Sequence, residues 1–221
     1  MSFDLTEVQK RINAIVGQSV TVTEGDDDWN LRRSYINRAQ RDWSERFDWQ
    51  VLYKETNTLA TASGQATLSL PTDYRKLAIA PTIADTSVNQ YAEIDPQERK
   101  RFGSTDKYVY PLGDPSGGYN LVVNPPMASG ASIAYAYYRT APSLVSGSDI
   151  SLCPNPDYIV QQSLYYYFLA NEDARFQDAR RQAEGILANL LEFENVRGNG
   201  YDNSVTNVDE TKSNFRWGRD G

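Results

Sequence analysis

The hydrophobic period of this chain changes twice, and those two changes constrain the fold more than any single residue does. Up to about residue 50 the apolar residues recur every three or four positions; from Val51 they alternate; after "APSLVSGSDISLCPNP" the helical spacing returns. A stretch with one period cannot bury its apolar face as the other element. The chain is therefore expected to be α+β. Both chain ends should build one helical bundle, with a small antiparallel β sandwich or barrel inserted in a connection. The expected divisions are 1–50 for the first helical part, 51–152 for the β domain, 153–197 for the second helical part and 198–221 for a flexible C-terminal arm.

Residues 4–16 read as a first helix, with Asp4 or Thr6 near its start, Leu5, Val8, Ile12 and Ile15 at helical spacing, and Gly17 as a stop. After the linker "QSVTVTEG", the run "DDDW" at 26–29 opens a second helix. Carboxylates there accept from free backbone N–H groups and favour the positive end of the helix dipole. Trp29, Ile36, Trp43 and Phe47 fall within about 40° of one another and are expected to face inwards, with Arg33, Asn37, Ser44 and Asp48 on the wetted side.

Between these helices and the next, "VLYKETNTLATASGQATLSLP" (51–71) reads as a hairpin turning at Ser63-Gly64. "KLAIAPTI" (76–83) and "SVNQYAEI" (87–94) are further strands, and "DPQERKRF" (95–102) resembles one or two helical turns opened by Asp95 and Pro96. The clearest hairpin is "KYVYPLG" and "YNLVVNPP" around "DPSGG", a cluster of turn-forming residues. "ASIAYAYYR" (131–139) puts Ile133, Tyr135 and Tyr137 on one face. These runs amount to about six or seven short strands with no βαβ repeat among them.

Pro156 or Asp157 begins a helix that holds "SLYYYFLANED" (163–173). At about 100° per residue Leu164, Tyr165, Tyr166, Tyr167, Phe168 and Leu169 spread around its whole circumference, so it needs cover on every side. The last helix, 173–196, carries Phe176, Ala179, Ala183, Ile186, Leu187, Leu190 and Leu191 in one stripe, with Arg181, Gly185 and Glu192 opposite. Beyond it the chain is polar and glycine-rich until Phe215 and Trp217. Such a tail is either a frayed end or an arm with an aromatic anchor that orders against a partner.

The residue types present exclude much chemistry. With no histidine and a single cysteine, Cys153, the chain has no Ser-His-Asp or Cys-His pair, no usual zinc site and no internal disulfide. Cys153 reads as a small buried hydrophobe. "EGDDDW" lacks the alternating ligands of a calcium loop, and "YPLGDPSGGYN" lacks a Walker lysine. No cofactor, metal or catalytic residue is assigned. A net charge of −7 disfavours tight nucleic-acid binding. No apolar run approaches the ~20 residues that span a bilayer. The start "MSFDLTEVQKR" does not read as a secretion signal, so cytosolic synthesis and no membrane partner are expected.

Two other uses of the residues stay open. Asp95, Glu98, Asp106 and Asp114 gather around the central hairpin, and a glycosidase works with two carboxyls, although acids at turns also serve as caps. Fifteen Tyr and four Trp suit half-buried sheets, protein interfaces and carbohydrate platforms alike.

The order of parts carries a resemblance. A short helix, a second helix ending in "RDWSERFDWQVLYKE", a sheet with "LSLPTDYRKL", the hairpin "YVYPLGDPSGGYNLVVNPP", the strand "IAYAYYRTAPSL", then "NPDYIVQQSLYYYFLANE" and a long last helix together resemble head-to-tail adaptors of tailed bacteriophages. The tail tubular protein A type of short-tailed phages is the nearest in kind. The resemblance implies a structural virion protein at the neck, assembled in the host cytoplasm. It implies a ring, usually described as twelvefold, beneath the portal protein. That ring joins the next tail component, a nozzle or tail tube, and passes genomic DNA through its lumen without specific binding. It also implies a helical domain around the channel and a C-terminal segment on the portal. On that reading Tyr165, Tyr166, Tyr167, Phe168 and Leu169 are candidate subunit-interface residues, and Tyr201, Phe215 and Trp217 belong to a portal-binding arm. The competing readings are a tail-borne peptidoglycan glycosidase and a carbohydrate-binding module.

Overall fold

Asp4 fixes the first helix by accepting from the Glu7 backbone N–H at 2.8 Å, and Gly17 ends it at φ 75°, a left-handed conformation that glycine adopts without strain. In the computed structural model, which describes residues 3–19, 21, 23–59, 64–84, 88–114, 116–128 and 130–195, this helix is α1 (Leu5–Val16). Helix α2 (Asp27–Arg46) and helix α3 (Pro156–Ala170) follow, with helix α4 over residues 176–195. The chain divides into two units, Met1–Phe47 with Ser143–Gly221, and Asp48–Pro142.

In the helical unit, Leu5, Val8 and Ile12 of α1 and Trp29, Ile36 and Trp43 of α2 are buried. Ile15, expected on the inner face, is exposed, and Ser44, expected on the wet face, is buried. The Ser44 hydroxyl donates to the Arg41 carbonyl at 2.8 Å, so it enters the core with its polar group already satisfied. The segment 143–150, assigned from sequence to the β domain, hydrogen-bonds to these helices instead. Asn37 donates to the Leu144 carbonyl at 2.9 Å and accepts from the Leu144 N–H at 2.7 Å. The N–H groups of Leu5 and Thr6 donate to the carbonyls of Asp149 and Gly147 at 2.8 and 3.0 Å. These bonds satisfy donors at the start of α1 that have no partner within the helix.

Among its described residues the other unit holds eight strands in two open four-stranded sheets. One has the order β1 (Tyr53–Leu59), β8 (Ser132–Arg139), β3 (Tyr74–Ala84), β4 (Val88–Gln90). The other has the order β2 (Gln65–Ser69), β7 (Gly118–Met127), β6 (Tyr108–Asp114), β5 (Ala92–Glu93). They share one core that includes Leu77, Ile133, Tyr135 and Tyr137 from the first sheet and Leu68, Val109, Leu121 and Val123 from the second. Two sheets over one core are the part of the sandwich expectation that the structure carries. The barrel alternative is not realised, because neither sheet closes on itself among the described residues.

The hairpin expected over 51–71 is absent: β1 pairs with β8 from Tyr53↔Tyr138 to Leu59↔Ser132, while β2 pairs with β7. A turn signal lets the chain reverse without requiring the two flanking strands to pair, and here each finds its partner further along. The run 87–94 likewise splits, β4 pairing with β3 and β5 running parallel to β6. The β6–β7 hairpin forms as read, from Tyr108↔Asn124 to Asp114↔Gly118. Prolines fall where a strand tolerates a missing N–H. The β2–β7 register jumps from Gln65↔Met127 to Thr67↔Val122 beside Pro125 and Pro126, and β5 does not extend along β6 as far as Pro111.

Two measurements follow from these contacts. Gly113 sits at φ 138°, and a Cβ there would lie 2.2 Å from the Gly118 carbonyl oxygen. Gly113→Ala should cost about 3 kcal/mol and lower the urea midpoint; an unchanged midpoint would refute this pairing. The second concerns Asp149, whose carboxylate accepts from the N–H groups of Val145 at 2.6 Å and Ser146 at 2.9 Å, which holds its pKa below the usual value. A folded value below the unfolded one means these bonds stabilise above about pH 3.9, and that the gain is lost as pH falls through the folded value. Urea midpoints at about pH 7 and pH 3 should differ less for Asp149→Asn than for the parent chain; equal differences would show that the carboxylate carries none of the acid sensitivity.

Candidate interaction surface

Helix α3 begins at Asn155, whose side chain accepts from the Asp157 N–H at 3.0 Å, with Pro156 at the first helical position, where no N–H is needed. It ends at Asn171, followed by Glu172 at φ 53°. Just before it, Cys153 is buried, its thiol donating to the Asn155 carbonyl at 3.2 Å, and burial pushes its pKa up to about 12. A thiol so reluctant to ionise is a packing group rather than a nucleophile.

The side of α3 that carries Tyr158, Ile159, Val160 and Leu164 is fully buried. Ser163 lies among them because its hydroxyl donates to the Ile159 carbonyl at 2.6 Å. The remaining sides are covered largely by cations and rings of the same chain. The Arg38 guanidinium lies 4.1 Å from the centre of the Tyr166 ring, and Gln162 donates to the Tyr166 hydroxyl at 2.9 Å. Arg175 lies 4.4 Å over Phe168 and is itself held by the Asp173 carboxylate at 2.6 Å. Tyr167 meets the ring of Tyr35 edge-on at 6.5 Å. Tyr165 packs beside Phe176 at 6.4 Å and under Arg180 at 5.9 Å.

These contacts correct one part of the sequence reading. Tyr166 and Phe168, at 5% and 3% exposure, are covered within one chain and need no identical neighbour. Arginine supplies a planar cation that stacks on a ring while its edge stays wet, so a greasy side can be closed without an apolar partner. The uncovered part of the expected interface is Tyr165 and Tyr167, both half-buried, and Leu169 at 45% exposure. On α4, Ala179, Ala183 and Leu187 are buried, while Ile186, Leu190 and Leu191 are half-buried and Phe193 is exposed. Tyr201, Phe215 and Trp217 lie outside the described residues.

The carboxylates weighed as catalytic are each engaged by nearby groups. Asp95 accepts from the Gln97 N–H at 2.8 Å, Asp106 from the Gly103 N–H at 2.6 Å, and Glu98 pairs with Arg101 at 2.7 Å. Asp114 accepts from the Ser116 hydroxyl at 2.5 Å and from the N–H groups of Ser116 and Gly117, both at 2.8 Å, which holds its pKa low. A glycosidase acid needs the opposite shift. The tyrosine platform fares similarly: Tyr135 and Tyr137 are core residues, and the Tyr137 hydroxyl donates to Asp73 at 3.0 Å.

Sequence reading missed Arg38, Arg175 and Arg180 as cover for α3. A signal existed in the i, i+4 spacing of Arg38, Asp42 and Arg46 and of Arg180 and Glu184, but such spacing describes any solvated helix face equally well.

Residues 4–207 match the SU10 adaptor protein family, and the chain belongs to that family of structural phage adaptors. No curated protein matches the sequence significantly.

The burial difference along α3 is measurable. Phe168→Ala should destabilise the isolated chain by about 3–5 kcal/mol, whereas Leu169→Ser should change stability by no more than about 0.5 kcal/mol. Equal effects in thermal and urea unfolding would contradict this packing.

Proposed function

We propose that this adaptor forms a ring at the head-to-tail junction of a tailed phage. The ring sits beneath the portal, joins the next tail component, a nozzle or tail tube, and lets genomic DNA pass through its lumen. Twelve copies and a likeness to the tail tubular protein A type are part of this reading, as are assembly in the host cytoplasm and a final place in the virion neck. The family match across residues 4–207 is the observation that carries it.

Two properties of the chain support the reading. Tyr165 and Leu169 on one side of α3, and Tyr167 about 160° around the helix, are open in part to neighbouring copies. Side chains of this kind contribute about 1.5–3 kcal/mol each when fully buried, and association costs roughly 4–15 kcal/mol. Either side alone is therefore a marginal interface, which suits a protein that assembles on a template and draws further binding energy from contact with the portal. The charge supports passage: with 29 acidic against 22 basic residues, the chain's net charge of −7 repels phosphates on balance, so a duplex slides rather than sticks.

Negative-stain images and native mass of the full chain, alone and with portal protein, test the proposal. Closed rings are expected on the portal, and the exposed-site change Leu169→Arg should reduce ring yield about tenfold or more while leaving the melting temperature of the single chain nearly unchanged. Single copies scattered on the portal would refute it.

A further inference from the structure

A cleft of about 200 Å³ opens between α2, α3 and α4, lined by Arg38, Asp42, Arg46, Tyr165, Arg180 and Glu184 among others. Its charges are unevenly used. Arg180 is paired with Glu184 at 2.8 Å, and Asp42 accepts from Gln162 at 3.3 Å. Arg38 and Arg46 take part in none of the salt bridges among the described residues. Both are exposed, and Arg38 lies over the Tyr166 ring, a contact that uses none of its N–H donors. Eight positions apart on one helix, their Cα atoms stand about 12 Å from each other along the axis. Two exposed guanidinium groups on one cleft suit a short segment that carries two carboxylates.

The same helix carries the complementary charge at its other end. Asp26 and Asp27 are exposed, neither is in a salt bridge among the described residues, and Asp26 makes no capping bond. From Asp27 to Asp42, at the middle of the cleft, the helix rises about 22 Å. An α-helix does not fold back over that length, so these carboxylates cannot reach the cleft of their own chain.

We propose that the cleft receives the acidic 24–28 segment of a second copy of this chain, so that opposite ends of α2 meet head to tail around the assembly. The proposal rests on the ring reading above and deepens it. Such a contact is heterologous, each copy giving one surface and receiving the other, which is the arrangement that closes rings. It adjoins the half-buried Tyr165, which lines the cleft and also belongs to the uncovered side of α3. A nucleic-acid backbone fits less well, because Asp42 and Glu184 line the same cleft and repel a continuous run of phosphates. Exposed ion pairs steer encounter and fix register more than they hold partners together. Their loss should therefore show as weaker, less salt-sensitive association.

The test uses sedimentation velocity of the full chain over a concentration series. The parent chain should self-associate, and more weakly as salt rises. Arg38→Glu/Arg46→Glu and Asp26→Lys/Asp27→Lys should each weaken that association about tenfold or more. Mixed in equal amounts they should associate again, since an intact cleft meets an intact acidic segment and the two reversed surfaces complement each other. Circular dichroism checks folding, and Arg46→Glu alone, which keeps Arg38 on Tyr166, repeats the test should the double variant unfold. Full association by both variants would overturn the contact and leave the ring standing. Failure of the mixture to pair would show that the two surfaces do not meet. A parent chain that stays single at its highest soluble concentration also overturns the contact, while the ring itself is judged separately from the images with portal. Displacement of the second copy by a short DNA duplex would reassign the cleft to phosphates.

Discussion

A helix that is apolar on nearly every side can exist in water only if other parts of the chain surround it, and α3 imposes that requirement on this protein. Its inner side buries Ile159 and Leu164, and its other sides lie under side chains from α2 and from residues 173–180. The wrapping elements come from both ends of the sequence. The chain must therefore leave the helical unit after α2 and return before α3, and whatever it builds in between is an insertion. The bonds of Asn37 to Leu144 and of Leu5 and Thr6 to the 147–149 stretch fasten that return.

How the wrapping is done bears on assembly. Had Tyr166 and Phe168 been left bare, the single chain would expose a large aromatic surface and aggregate. Arginine stacking closes those rings and keeps water at the guanidinium edges. What is left on α3 is Tyr165 with Leu169 on one side and Tyr167 on the other, small separate surfaces useful to a neighbour only in combination with other contacts. Under the proposed reading this is the balance an adaptor needs, because a ring that closed freely in the cytoplasm would form without its portal.

The inserted unit obeys a different rule. Its sheets owe their arrangement to which strand edge accepts which partner, with β8 between β1 and β3 and β7 between β2 and β6. Pro125 and Pro126 fall beside the β2–β7 register shift, and Pro111, paired with Leu121 of β7, lies beyond the stretch of β6 that β5 covers. The acids once weighed as catalytic hold turns around the β6–β7 hairpin. Their charges serve local geometry, and Asp114 in particular is tuned away from proton donation.

Much of this was legible from residues in order. Helix starts and stops could be read because caps act over a few residues: Asp4, Gly17 and Pro156 stand where backbone groups or a left-handed turn require them. The two period changes fixed the class of each segment, and "DPSGG" fixed the central hairpin, since a short loop leaves its flanking strands little choice. Strand partners across sheets, the burial of Ser44 and the exposure of Ile15 were not legible. Each depends on which distant element arrives at that face, and neither period nor propensity encodes that. The same holds for α3. Its sequence dictates that the helix be covered, because the apolar side chains point in every direction whatever surrounds them. Only the tertiary structure decides that arginines of the same chain share in that cover, because a cation's contact with a ring depends on two helices meeting in one register.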